Sequence, residues 1–214
     1  MTREIQSKVF LATELSAFLV FLPLLVVSVQ AYGFRRFLLL AGGLFALWRM
    51  IGKISLSALF SRPRQGWWRA PLLRGTLFFL LAVLYVLFTE PENLFRLPRE
   101  KPLLWTAIVI LYPWFSVLPQ ELIYRVYLFE VMRPLWKPLW LAVPASALLF
   151  GWVHIIYAGW FAVALSGIGG VILGWSYLRM REHNGAIWPL ILEHSLYGLI
   201  LFTVGLGRHF FLSR

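Results

Sequence analysis

LLWTAIVILYPWFSVLPQELIYRVYLFEVM, residues 103–132, reads as one long apolar helix with three charges, Glu121 and Arg125 inside it and Glu130 near its end. The stretch from 103 to 120 carries no charge, and a helix needs roughly 17–25 such residues to cross a bilayer. A charge at mid-bilayer costs on the order of 3 kcal/mol, so it faces a partner or a wet cavity. Glu121 and Arg125 stand four residues apart and share a helix face, so each can partner the other. That arrangement lowers the insertion cost of both and fixes the carboxylate's orientation.

The same anomaly recurs twice further along. His154 sits in FGWVHIIYA (150–158) and His194 in ILEHSLYG (191–198), both inside apolar runs. Phe150 and His154 are four apart, as are His194 and Gly198. At 1.5 Å per residue, Glu121 lies about 16 Å from a helix end near 132, His154 about 22 Å from 139, and His194 about 12 Å from 186. These depths fall within a bilayer half-thickness of one another, so the three segments can converge on one intramembrane site. One carboxylate and two imidazoles suit hydrolysis. A carboxylate takes a proton from water, and an imidazole orients that water or stabilises an oxyanion. Taken singly, each residue has a plainer reading. Glu121 with Arg125 is also what a structural ion pair looks like, and a lone intramembrane histidine is usually an interhelical hydrogen-bonder. Glu193 reads as an acid snorkelling to the interface.

Composition fixes the class. Of 214 residues 60% are hydrophobic and 14% charged, against roughly 45–50% and 25% in soluble domains. Mean hydropathy is +0.76. Seven apolar runs are long enough to consider as spans: about 9–31, 36–52, 72–89, 103–122 (continuing as helix to about 132), 139–157, 160–179 and 186–206. The expected fold is an all-α polytopic membrane bundle of about seven transmembrane helices. Residues 1–100 supply membrane spans and a basic segment, LFSRPRQGWWRAPLLR, whose Trp67, Trp68, Arg62, Arg64 and Arg69 suit the bilayer interface. Residues 101–214 carry the chemistry, and the two parts form one integrated domain. Glu14 is the intramembrane charge read in the first part.

The formal charge of +11 does not point to nucleic acid, which needs a solvated basic face. Here the basic residues fall mostly between apolar runs, where anionic headgroups attract them. With the N-terminus cytoplasmic, twelve Lys and Arg fall inside and seven outside, so the positive-inside rule favours that orientation in a cell (inner) membrane. The N-terminus also mimics a signal peptide, with Val29-Gln30-Ala31 resembling a cleavage site. The apolar run is long for that role and Glu14 interrupts it, so a retained first span is the expectation. No cysteine is present, which removes disulfides, thiolate nucleophiles and Cys-ligated metals.

At its polar residues the chain resembles the CPBP family of intramembrane endopeptidases, which includes type II CAAX prenyl proteases and bacteriocin-processing or self-immunity proteins. The family's pattern is E-E-x-x-x-R, F-x-x-x-H and H-x-x-x-N (or Asp) on successive helices. Here the counterparts are Gln120-Glu121 with Arg125, Phe150 with His154, and His194 with Gly198. The resemblance implies a peptidase acting on a membrane-embedded or membrane-anchored protein or peptide. It implies that the first Glu of the pair activates water and that the Arg orients the pair. The first His then holds the water, and the second His with the Asn stabilises the oxyanion. An older zinc proposal for the same residues would use His154, His194 and Glu121 with a water.

Two departures matter. Gln120 stands where the first Glu should be, and an amide is no general base. Gly198 replaces the Asn, removing a donor worth roughly 3 kcal/mol in other hydrolases. Glu121 or Glu193 is the expected base of such a variant site. The alternative is a catalytically silent scaffold or an immunity or maturation factor that kept the pocket and lost the base. A proton-coupled carrier would show inverted repeats, and none is visible. Ser166, Gly170 and Gly174 form a small-residue stripe expected to pack helices. Pro113 and Pro119 precede the motif and are expected to kink its helix. His183 and His209 receive no role.

Overall fold

Apolar length becomes helix throughout the computed structural model, which describes residues 2–29, 34–157, 159–182 and 185–210. Gln30, Ala31 and His183 lie outside the described residues. In chain order the α-helices are α1 (Thr2–Leu15), α2 (Leu22–Ser28), α3 (Arg35–Met50), α4 (Leu56–Leu59), α5 (Arg69–Thr89), α6 (Arg96–Glu100), α7 (Pro102–Tyr112), α8 (Leu118–Glu121), α9 (Ala142–Val153), α10 (Trp160–Glu182) and α11 (Trp188–Val204). No strand occurs among the described residues. The protein is all-α.

Five helical stretches are long and apolar enough to cross a bilayer: Glu4–Ser28, Arg69–Thr89, Pro102–Val131, Leu139–Ile156 and Trp160–Glu182. The runs read at 36–52 and 186–206 form α3 and α11, of 16 and 17 residues. At 1.5 Å per residue these measure about 24–26 Å, somewhat short of a 30 Å hydrocarbon core. Phe88, Leu103, Leu148 and Trp160 are more than three-quarters exposed or nearly so. Bare aromatic and aliphatic surface on that scale is a liability in water and the normal condition in lipid. The chain is a membrane protein.

Its residues fall into two compact units, 1–55 with 119–178, and 56–118 with 179–214. In the first unit, small residues let α9 and α10 approach at backbone distance. A Cβ at Gly170 would lie 2.7 Å from Ala147 Cα, and one at Gly151 2.9 Å from the Val163 carbonyl. Gly174 faces Val143 in the same way, and Ser166 is buried. The expected packing stripe is therefore present, extended by Gly151 on the opposing helix. α3 lies against the motif helix through Gly42, which meets Phe18 and Ile123, and through Gly43, which meets Pro119. Glu14, the charge inside the first apolar run, accepts from Arg49 Nε at 2.7 Å and Nη2 at 2.6 Å, and from the Tyr127 hydroxyl at 2.6 Å.

The second unit is built on α5 and α11. Gly75 receives Leu196, and Phe78 packs edge-on to Tyr197 with centroids 5.3 Å apart. Trp105 Nε1 donates to Thr203 Oγ1 at 3.0 Å. α11 begins with the Ile187 amide donating to the Leu59 carbonyl at 2.8 Å, and it ends at Gly205 in the left-handed conformation, a common helix stop because glycine has no Cβ to clash.

Candidate active site

The motif helix is not α-helical throughout. After α8 the backbone widens into a ten-residue π-helix, Leu122–Val131, following an earlier π-helical turn at Pro113–Val117. Both prolines expected to disturb this helix sit there: Pro113 opens the first π turn and Pro119 lies in α8. π-Helical turns are rare and occur often at functional sites. The widened turn is held from α9, where the Ser146 hydroxyl donates to the Tyr124 carbonyl at 2.7 Å.

Glu121 closes α8 at the start of that π segment, and Arg125 follows within it. Both side chains are 0% exposed, and Arg125 Nη1 lies 3.4 Å from Glu121 Oε1. Gln120 is only half-buried. Of the two, the position that retains a carboxylate is the more deeply buried. The Arg125 guanidinium stacks over the Phe150 ring, 4.4 Å from its centroid, a cation–π contact strengthened by the loss of water. Phe150 in turn packs edge-on to His154, with centroids 4.8 Å apart, and to Tyr124 at 5.3 Å. Glu121, Arg125, Phe150 and His154 thus form a continuous buried series in the first unit.

His154 follows the last turn of α9, and its Nδ1 lies 2.6 Å from the Phe150 carbonyl oxygen. A carbonyl only accepts, so Nδ1 carries the hydrogen, and the lone pair of the neutral ring is on Nε2. The four-residue spacing of Phe150 and His154 therefore has two consequences. Phe150 supplies a ring to Arg125 and a carbonyl that sets the His154 tautomer.

His194, Glu193 and Gly198 belong to the second unit. Glu193 is 1% exposed and is gripped by Arg74, whose Nε donates to Oε1 at 2.5 Å and Nη2 to Oε2 at 2.8 Å. The Tyr197 hydroxyl also donates to Oε1, at 2.8 Å. Glu193 is therefore held inside the unit rather than extended to an interface. His194 is buried, and Tyr112 stands edge-on to it with ring centroids 6.5 Å apart. Neither Arg74 nor Tyr112 was expected here from sequence. Arg74 reads as one of many inner-flank cations, although an acid buried in an apolar run calls for a partner. Tyr112 has no sequence signal at all.

Among the described residues of either unit, no three His, Cys, Asp or Glu side chains gather closely enough to hold a metal ion.

Residues 102–200 match the family described as type II CAAX prenyl endopeptidase Rce1-like. No curated protein and no solved structure matches the chain. The matched stretch runs from the first residue of α7 to the middle of α11 and contains every motif residue from Gln120 to Gly198. By that match, residues 102–200, just under half of the chain, are similar to the Rce1-like type II CAAX prenyl endopeptidases, in line with the CPBP resemblance.

Proposed function

We propose that the protein is an intramembrane endopeptidase that hydrolyses a peptide bond of a membrane-embedded or membrane-anchored substrate, with Glu121 as general base. The observation that carries this reading is the fully buried Glu121–Arg125 pair, linked through Phe150 to a histidine of fixed tautomer. Arg125 holds the carboxylate in place. The Nε2 lone pair of His154 accepts one hydrogen of a water molecule, and Glu121 removes the other as the water oxygen attacks the scissile carbonyl carbon. The carbonyl electron pair moves to oxygen, and His194 donates a hydrogen bond to the anion so formed. When the intermediate collapses, the C–N bond breaks and the Glu121 carboxylic acid returns its proton to the leaving amine.

Glu193 fits the role of base poorly, because both of its oxygens are engaged by Arg74 and one also by Tyr197. Its place in the reading is to support α11, which carries His194. The protein acts in the inner cell membrane with its N-terminus in the cytoplasm, supported by the excess of basic residues on the inner flanks.

Purified protein in liposomes, offered a library of tagged membrane-anchored peptides, tests the reading. Cleavage is expected, and Glu121→Gln, His154→Ala and His194→Ala should each abolish it. A chelator arm of the same assay is expected to leave cleavage intact, and loss restored by zinc would replace the glutamate mechanism with a metal one. Peptide binding without cleavage would instead identify a scaffold, immunity or maturation factor.

A further inference from the structure

Gly198 lies one turn beyond His194 on the same face of α11. Its missing side chain is not empty space. A Cβ built there would collide with the hydroxyl and ring carbons of Tyr112. Tyr112 ends α7 and is wedged between His194 and Phe202, edge-on to both, with centroids 6.5 and 5.5 Å away. Two rings therefore fix its plane, and the phenol oxygen occupies the volume that a side chain at 198 would fill. Glycine at 198 is a steric requirement of Tyr112, and the pair exchanges one polar group for another: an amide on α11 for a hydroxyl delivered from α7.

We infer that the Tyr112 hydroxyl is a catalytic hydrogen-bond donor, which acts with His194 on the oxyanion from the position that a longer side chain at 198 would otherwise hold. This inference rests on the endopeptidase reading. The phenol donates a hydrogen bond and keeps its proton, so the hydrolysis needs no additional acid or base. A donor of this kind acts on the charge that develops in the transition state more than on the bound substrate, so it raises kcat and leaves KM nearly alone.

The test uses full-length protein in liposomes with a peptide that the unaltered enzyme cleaves, and compares four forms. Tyr112→Phe keeps the ring and the wedge; it should lower kcat about 10²-fold with KM within about twofold. Gly198→Asn alone forces an amide into the phenol and should lose both activity and thermal stability. Tyr112→Ala alone should lose activity through the missing donor. Tyr112→Ala combined with Gly198→Asn opens the space and refills it with an amide, and should cleave at least about tenfold faster than either single variant. Full kcat in Tyr112→Phe overturns the role while leaving the endopeptidase reading standing. A double variant no faster than its parents reduces Tyr112 to packing and likewise overturns it. Absence of any cleavage by the unaltered protein removes the endopeptidase reading and this role together.

Discussion

Two buried acids, Glu121 and Glu193, have different contacts, and the roles proposed for them follow that difference. Glu193 spends both oxygens on the Arg74 fork and a tyrosine hydroxyl, so proton abstraction would break three short bonds. Glu121 has its guanidinium at a looser 3.4 Å. Glu121→Gln should therefore reduce kcat by about 10³-fold, within the range typical of a lost general base, and, because it strands a fully buried guanidinium, it should also cost about 3–5 kcal/mol of stability. Glu193→Gln should leave kcat nearly unchanged. It strands a cation that is 32% exposed, at a cost of about 2–3 kcal/mol, below the usual 3–5 for a fully buried pair, while the folded fraction still cleaves. Arg74→Ala leaves the 1% exposed Glu193 carboxylate without its guanidinium, so it should destabilise at least as much as the Glu193 variant while the folded fraction still cleaves. Parallel kcat and unfolding measurements separate these outcomes. The contrast also shows what sequence makes readable. Glu121 with Arg125 is a local pair, set by helical spacing, and was visible in the sequence. Arg74 and Glu193 are 119 residues apart, so their pairing is settled by the packing of α5 on α11 and by nothing nearer.

At the scale of elements, the α9–α10 crossing places His154, because the histidine is the first residue past the last turn of α9. The crossing depends on Gly170 lying against Ala147 backbone. Neighbouring Gly169 provides the control, since a Cβ there meets nothing within 4 Å. Gly170→Leu should destabilise the protein by about 1–3 kcal/mol through overpacking and impair cleavage by displacing His154. Gly169→Leu should stay within about 0.5 kcal/mol of the unaltered protein. Unfolding in mixed detergent and cleavage rates measured on both variants check the pair. This crossing was legible as a small-residue stripe, because spacing on one helix suffices to reveal it. The π-helix over Leu122–Val131 was not. All but one of its ten residues are buried, so the segment has no polar face whose repeat could betray the widened turn. Its i,i+4 neighbours remain neighbours either way, which is why the pair of Glu121 and Arg125 survives the change of helix type.

Across the whole molecule, charge decides which end of each crossing faces the cytoplasm. In the proposed orientation twelve basic residues flank the inner ends and seven the outer, but three of the twelve, Lys8, Arg49 and Arg74, are engaged with Glu4, Glu14 and Glu193, and two of the seven, Arg96 and Arg208, with Glu100 and Glu90. Setting those five aside leaves nine against five, so the count still favours the proposed orientation. The stretch Pro102–Val131 gives the most direct check, because exposed basic residues bracket it: Lys101 at one end and Arg133 at the other. The chain contains no cysteine, so a single introduced thiol reports one position without background. Lys101→Cys should react with a membrane-impermeant maleimide on intact cells, and Arg133→Cys only after the membrane is opened. The opposite pattern would invert the topology and with it the side from which substrates approach Glu121. Reaction of both thiols on intact cells would mean that this stretch, with the charged pair it carries, does not cross the bilayer, and the cost argument that singled out Glu121 and Arg125 would lose its basis.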